Sequence, residues 1–208
     1  MTHLSTTSLT SYLDALAAAT PAPGGGSAAG VTGAMGAALV EMVAGLSLAK
    51  SDAQGGEHSA LQQAALERAR SARAELLQLA EDDAVAYGAF MEALKLPKSS
   101  DDERAARTSA ISAAAQRAAE VPLATLRATV AVAEAARSIQ DKSLLAAASD
   151  LEVAARFARA SGESAAENVE ANLPYIDDPP YIDDPQTRAE IASQTSAALT
   201  ALHRATPQ

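Results

Sequence analysis

Apolar positions along this chain recur with helical rather than strand spacing, and proline, glycine and aspartate mark the breaks between them. Tyr12, Leu13 and Leu16 give an apolar face to a first helix over 8–19, ended by Thr20-Pro21-Ala22-Pro23. A second helix over 28–49 is almost wholly small and apolar, with Gly30, Gly33 and Gly36 at three-residue intervals. Glycine there lowers helix propensity but allows a neighbouring helix or a ligand to come close. After a loop at 51–56, a third helix over 57–94 carries Leu61, Leu66, Leu76, Leu77, Val85, Tyr87, Phe90, Met91 and Leu94. Its length favours an elongated bundle and leaves room for a kink. Leu96-Pro97-Lys98-Ser99-Ser100 interrupts the pattern, and Ser100-Asp101-Asp102-Glu103 predicts a capped, acidic start for a fourth helix running to 120. Pro122 is either the first residue of a fifth helix or a kink. The fifth ends near 139, and a sixth spans 143–173 with Gly162 as a candidate break. Pro-Tyr-Ile-Asp-Asp-Pro then occurs twice in tandem over 174–185, expected as an extended surface loop without catalytic duty, before a last helix over 187–204.

Composition supports an all-α fold, an elongated bundle of long helices. Hydrophobic residues make up 48% of the chain but aromatics only 3%, and Trp is absent. The core must therefore be built from Ala, Leu, Val and Met, whose small or flexible side chains suit close helix packing, and the β-branched and aromatic clusters of strands are missing. The length, 208 residues, suits a single domain over 1–208. A net charge of −10 argues against a nucleic-acid partner, which needs a basic face. The absence of Cys excludes disulfides, thiolate catalysis and cysteine-bound metal, and suits a reducing cytoplasm. No basic segment followed by an apolar core opens the chain, so no secretory signal is expected. The 28–49 stretch is long enough to span a membrane, yet it contains Glu41 and is dominated by Ala and Gly. The expectation is a buried central helix and no membrane partner.

Candidate chemistry begins at Pro23-Gly24-Gly25-Gly26-Ser27. Three consecutive glycines are entropically unfavourable to order, and fit either a hinge between helices or a place where backbone approaches a ligand. Ser27 occupies an expected N-cap, whose free N–H groups could hold an anion or a carbonyl oxygen. No Gly-Lys-Ser/Thr closes a P-loop, and no Gly-x-Gly-x-x-Gly follows a strand. Glu81-Asp82-Asp83 sits between Leu79 and Val85 on the third helix, harmless facing water and unfavourable if buried. Asp83 shares helical phase with Tyr87 and Phe90, and an inward carboxyl there would have a raised pKa and could move protons near neutrality. Ser149-Asp150 poses the same question on the sixth helix. Asn168 and Asn172, one turn apart, form either a solvent face or a grip for a planar polar ligand.

These pieces occur together in a known order. Pro23 to Ser27 with the Ala/Gly helix and Met42-Val43-Ala44, then Asp83-Ala84 with Ala86-Tyr87, Leu96-Pro97-Lys98, Val121-Pro122-Leu123, Ser149-Asp150, and Asn168-Val169 with Asn172-Leu173 resemble the formiminotransferase-cyclodeaminase C-terminal domain family, from Leu13 to about Asp178. The resemblance implies an all-helical homodimer acting on one-carbon adducts of tetrahydrofolate, with no cofactor beyond that substrate and no metal. It assigns the catalytic aspartate to Asp83 and the folate site to Gly24, Gly25, Gly26 and Ser27, with Lys50, Lys98, Ser149, Asp150, Asn168 and Asn172 as further substrate-binding candidates.

Two reactions are implied. The first is a cyclodeaminase step, 5-formimino-tetrahydrofolate to the 5,10-methenyl compound with loss of ammonia. The alternative is a cyclohydrolase step, the methenyl compound plus water to 10-formyl-tetrahydrofolate. A non-catalytic helical binding or scaffold protein is the alternative of another class. The formiminotransferase module of bifunctional members is not in this sequence. The chain also departs from the family in three places. Only Lys50 remains of the basic residues that commonly follow the glycine-rich helix, Gly45 replaces a common asparagine, and the Pro-Tyr-Ile-Asp-Asp-Pro segment is duplicated.

Overall fold

The computed structural model describes residues 4–52, 56–176 and 185–206. Among them the chain is helical throughout its regular elements: α1 (Leu9–Ala17), α2 (Gly25–Asp52), α3 (Ser59–Leu94), α4 (Asp101–Ser138), α5 (Ala148–Asn172) and α6 (Pro185–Ala205), with 3-10 turns at Leu4–Thr6, Leu145–Ala147 and Leu173–Tyr175. Ser8 caps α1 by accepting the Ser11 N–H, and Ser100 with Glu103 forms the expected reciprocal capping box at α4.

Four long helices form the body. α2 packs along α3, α3 along α4, α4 along α5, and α5 returns to α2, while α6 covers α4 and α5. The connections are short, so successive helices run antiparallel. The start of α2, the end of α3 and the end of α5 therefore gather at one end of the bundle. α2 is long and apolar enough to cross a bilayer. In this bundle it packs between α3 and α5, with Ala37, Val40, Val43 and Ala44 fully buried on its inner face, while Met35, Met42 and Leu46 are exposed, so it is not the fully buried central helix expected from the sequence. A Cβ at Gly30 would come within 2.9 Å of both the Ala80 Cβ and the Leu76 carbonyl oxygen. α2 thus meets α3 at backbone distance, a separation that only glycine allows here.

Several expected boundaries differ. α3, by contrast, is one unbroken helix of 36 residues close to the expected 57–94. α4 runs continuously from Asp101 to Ser138 with Pro122 inside it, where a division between a fourth and a fifth helix was expected. Proline removes the N–H that the Ala118 carbonyl would accept, and the Asn172 amide of α5 takes that carbonyl instead at 3.1 Å. Gly162 does not break α5 either. A side chain there would press within 2.5 Å of Leu202 Cδ2 and 2.7 Å of Thr129 Oγ1, so it is a packing glycine. α2 begins at Gly25, inside the glycine run, because the Gly24 carbonyl already accepts the Ala28 N–H at 3.0 Å. The expected loop at 174–185 falls largely on 177–184, outside the described residues; Leu173–Tyr175 form a 3-10 turn and Pro185 opens α6.

Gly30→Ala should lower stability by about 1–3 kcal/mol through the clash with α3. Gly88→Ala, at a position with nothing within 4 Å, should raise it by about 0.5–1 kcal/mol through helix propensity. Urea denaturation of the two variants measures both effects.

Candidate active site

The first turn of α2 is built almost without side chains. Gly24 accepts the first intrahelical bond and so holds the N-cap position, but it has no side chain with which to cap. The Ser27 N–H, left over from that turn, donates to Asp83 Oδ2 on α3 at 3.0 Å. A carboxylate from a different helix thus fills the place of the capping side chain. Ser27 itself is not the N-cap expected from the sequence. It lies inside the turn, fully buried, with its hydroxyl hydrogen-bonded to that of Tyr12 at 3.3 Å. A Cβ at Gly26 would overlap Asp83 Oδ1, whereas one at Gly25 would sit 3.7 Å from Asn168 Nδ2, an ordinary contact. Gly26 is therefore the glycine the carboxyl group requires.

Asp83 opens into a cavity of about 470 Å³ bounded by Gly24, Gly25 and Gly26 on one side, Asn168 and Asn172 on another, and a wall of Tyr87, Phe90 and Tyr175. Phe90 and Tyr175 meet edge to face, with ring centroids 5.2 Å apart. Burial pushes the Asp83 carboxyl above the ordinary carboxylate value, and the Ser27 N–H pulls against that rise without cancelling it. Oδ1 has no partner among the described residues, so it is the atom available to exchange a proton with a bound molecule. Asn172 spends both amide hydrogens on backbone, at the Ala118 and Asn168 carbonyls, and can offer a ligand only its Oδ1. Asn168 uses one on the Ser164 carbonyl and keeps one.

Gly24, Gly25, Gly26, Asp83, Asn168 and Asn172 are thus brought together, with Ser27 directly behind them. The other expected site residues are not. Lys50 lies at the opposite end of α2, roughly 36 Å from Gly26 at the helical rise, beside His58, Gln62 and Lys142 in a separate cavity. Ser149 and Asp150 open α5, roughly 28 Å from Asn168. Lys98 is exposed in the connection between α3 and α4, at the right end of the bundle but outside the cavity lining. Lys50, Ser149 and Asp150 lie at the wrong ends of antiparallel rods, which sequence order alone does not reveal. The aromatic wall was missed as a site. Tyr87 and Phe90 gave a signal in their phase with Asp83, and Tyr175 stood in a segment read as a plain surface loop.

A profile of the formiminotransferase-cyclodeaminase family matches residues 8–191. The chain belongs to this family. A methenyltetrahydrofolate cyclohydrolase of Methylorubrum extorquens is 41% identical over 167 residues, covering 80% of this chain and 79% of that protein. A formimidoyltransferase-cyclodeaminase of Mus musculus is 32% identical over 172 residues, 83% of this chain but 31% of the mouse protein, so the chain spans about a third of that bifunctional relative. Among solved structures, a formiminotetrahydrofolate cyclodeaminase of Thermotoga maritima superposes with a TM-score of 0.75 at 28% identity, covering 97% of this chain and 96% of that one. The family shares this fold, and the match takes in every residue bounding the cavity.

Two outcomes test the geometry. Gly26→Ala should displace Asp83 and reduce turnover by about a hundredfold or more, while Gly25→Ala, with room for its methyl group, should keep most of it; steady-state kinetics on the two folded variants distinguishes them. The second concerns pH. The folded chain holds the Asp83 proton more tightly than the unfolded chain, so this group's stabilising contribution is fully present below the ordinary value of 3.8 and is lost as pH rises through the raised folded value. Asp83→Asn keeps an acceptor for the Ser27 N–H without the buried charge. It should melt no lower than wild type at neutral pH, and any advantage should shrink on acidification toward pH 4, as followed by thermal melts across pH.

Proposed function

We propose that this chain is a methenyltetrahydrofolate cyclohydrolase. The observation that carries the catalytic part is the Asp83 carboxyl, pinned through Oδ2 and open at Oδ1 over a floor of glycine backbone. On this proposal the pterin lies flat between that floor and the faces of Tyr87 and Tyr175, with Asn168 and Asn172 on its polar edge. Asp83 takes a proton from water as the water oxygen bonds to the amidinium carbon, and its charge favours that cationic centre beforehand. The same proton then passes to N5 as the C–N5 bond breaks, and the hydroxyl of the adduct gives up its remaining proton to solvent, leaving the formyl group on N10.

The choice of hydrolase over deaminase rests on the Methylorubrum relative, alignable over 79% of its length, and reverses the order expected from sequence. The cyclodeaminase is the second reading, favoured by the Thermotoga structure that matches end to end. There N10 attacks the formimino carbon, and Asp83 carries the N10 proton to the departing amine. On either reading the protein works in the cytoplasm without a cofactor besides its folate substrate. It acts as a homodimer in which a second copy covers Met35, Met42 and Leu46, a stripe on α2 exposed by 43–49%.

The test incubates wild type and Asp83→Asn separately with 5,10-methenyl- and 5-formimino-tetrahydrofolate, following methenyl absorbance and ammonia. Hydrolysis of the methenyl compound without ammonia release supports the hydrolase, and ammonia release with methenyl formation transfers the assignment to the deaminase. Asp83→Asn should lower turnover by about two to four orders of magnitude with KM little changed. Full activity in the folded variant would remove Asp83 from the mechanism. No turnover of either adduct by wild type would favour the non-catalytic alternative.

A further inference from the structure

α1 stands almost outside the bundle. Leu9 is 64% and Leu13 50% exposed, and the one buried residue of the helix is Tyr12. An aromatic anchor would need only its ring, and phenylalanine would serve. This one ends in a hydroxyl placed on a single partner, the Ser27 Oγ at 3.3 Å, and Ser27 is itself 1% exposed. The same serine supplies the N–H that holds Asp83 Oδ2. Tyr12 and Ser27 also line a second cavity, of about 560 Å³, that shares no lining residue with the cavity of the glycine floor. The pair therefore forms the back wall of the carboxyl group, and behind it there is space into which the turn could relax.

We propose that Tyr12 is a positioning residue for Asp83: its hydroxyl fixes Ser27, and with it the first turn of α2, so that the Ser27 N–H stays on Oδ2 and Oδ1 stays over Gly26. The catalytic consequence rests on the function proposed above; the structural linkage does not. Three glycines precede Ser27 with no side chain to hold the turn, so side-chain restraint must come from outside α2. Burial raises the Tyr12 pKa, the Ser27 hydrogen bond pulls against that rise, and the charge of Asp83 adds to it, so the hydroxyl keeps its proton across the neutral range. Among the described residues the ionisable groups around Asp83 are few. Besides Tyr12 on α1 they are Glu81, Asp82 and Tyr87 on α3 itself and Tyr175 after α5. Arg117 on α4 is engaged with Asp82 at 3.4 Å, and α2 and α5 bring only glycines, Ser27, Asn168 and Asn172 to the cavity.

Tyr12→Phe keeps the ring and removes the link. The Ser27 N–H bond lowers the Asp83 pKa, so loosening it should move the midpoint of Asp83 to higher pH, read by carboxyl-carbon NMR on the substrate-free protein. The pH midpoint of kcat should move in the same direction, kcat at neutral pH should fall about five- to tenfold, the worth of one hydrogen bond, and KM should stay within about twofold. Ser27→Ala, which keeps the N–H, should reproduce these shifts, and the double variant should be no worse than either single one. An unmoved Asp83 midpoint in Tyr12→Phe would overturn the proposal, whether or not the melting temperature falls, since a mere anchor moves stability alone. Additive losses in the double variant would overturn it equally. Because the NMR midpoint is read without substrate, it judges the linkage even if Asp83→Asn proves active and the proposed function fails.

Discussion

One hydrogen bond, from the Ser27 N–H to Asp83 Oδ2, organises the functional end of this bundle. A helix that starts with glycines cannot cap itself, and a missing cap costs about 1 kcal/mol. Asp83 supplies the cap from α3. In return the carboxyl group is held by one oxygen only, at the positive end of a long helix, while the other faces an open cavity. Burial and the helix terminus act on it in opposite directions. Burial wins, which leaves a group able both to take and to release a proton. The closeness of α2 and α3 that makes this possible follows from Gly30 and Ala80, where backbone meets backbone.

The acidic triplet on α3 shows how position alone assigns three roles. Successive residues on a helix point about 100° apart, so neighbours in sequence face different surroundings. Glu81 accepts the Leu4 N–H at 2.5 Å and secures the N-terminal turn. Asp82 faces Gln78 and Arg117 at the surface. Asp83 points inward. The sequence offered phase with Tyr87 and Phe90 as the means of telling them apart, and that signal was sufficient because α3 is unbroken over this region.

Much of the fold was legible for the same reason. Alanine-rich helices with little aromatic content leave few alternatives, and Ser8, Ser100 and Glu103 mark their starts as local rules require. What failed were inferences needing tertiary partners. Pro122 looked like a boundary because its missing donor is visible in sequence, while the amide that compensates comes from α5, 50 residues later. Gly162 looked like a break because the Leu202 and Thr129 contacts that demand it lie on other helices. In the site, residues close to α2's start in the folded bundle could be named where helical phase or a short spacing tied them together. Lys50, Ser149 and Asp150 could not be excluded without knowing which ends of the rods meet.

The bond from Asn172 to the Ala118 carbonyl has a consequence for selectivity. A side chain whose hydrogens are already committed to backbone cannot swing to suit different visitors. The vacancy that Pro122 leaves in α4 therefore fixes one edge of the cavity in advance of any ligand, as an acceptor in a set place. Such an edge discriminates by rejection. A molecule presenting its own acceptor there meets an unpaired oxygen that nothing nearby can turn aside, while one presenting a donor finds the geometry already made. A proline buried in the middle of a helix, one turn from the Ala118 wall of the cavity, thereby helps decide which small molecules can rest there.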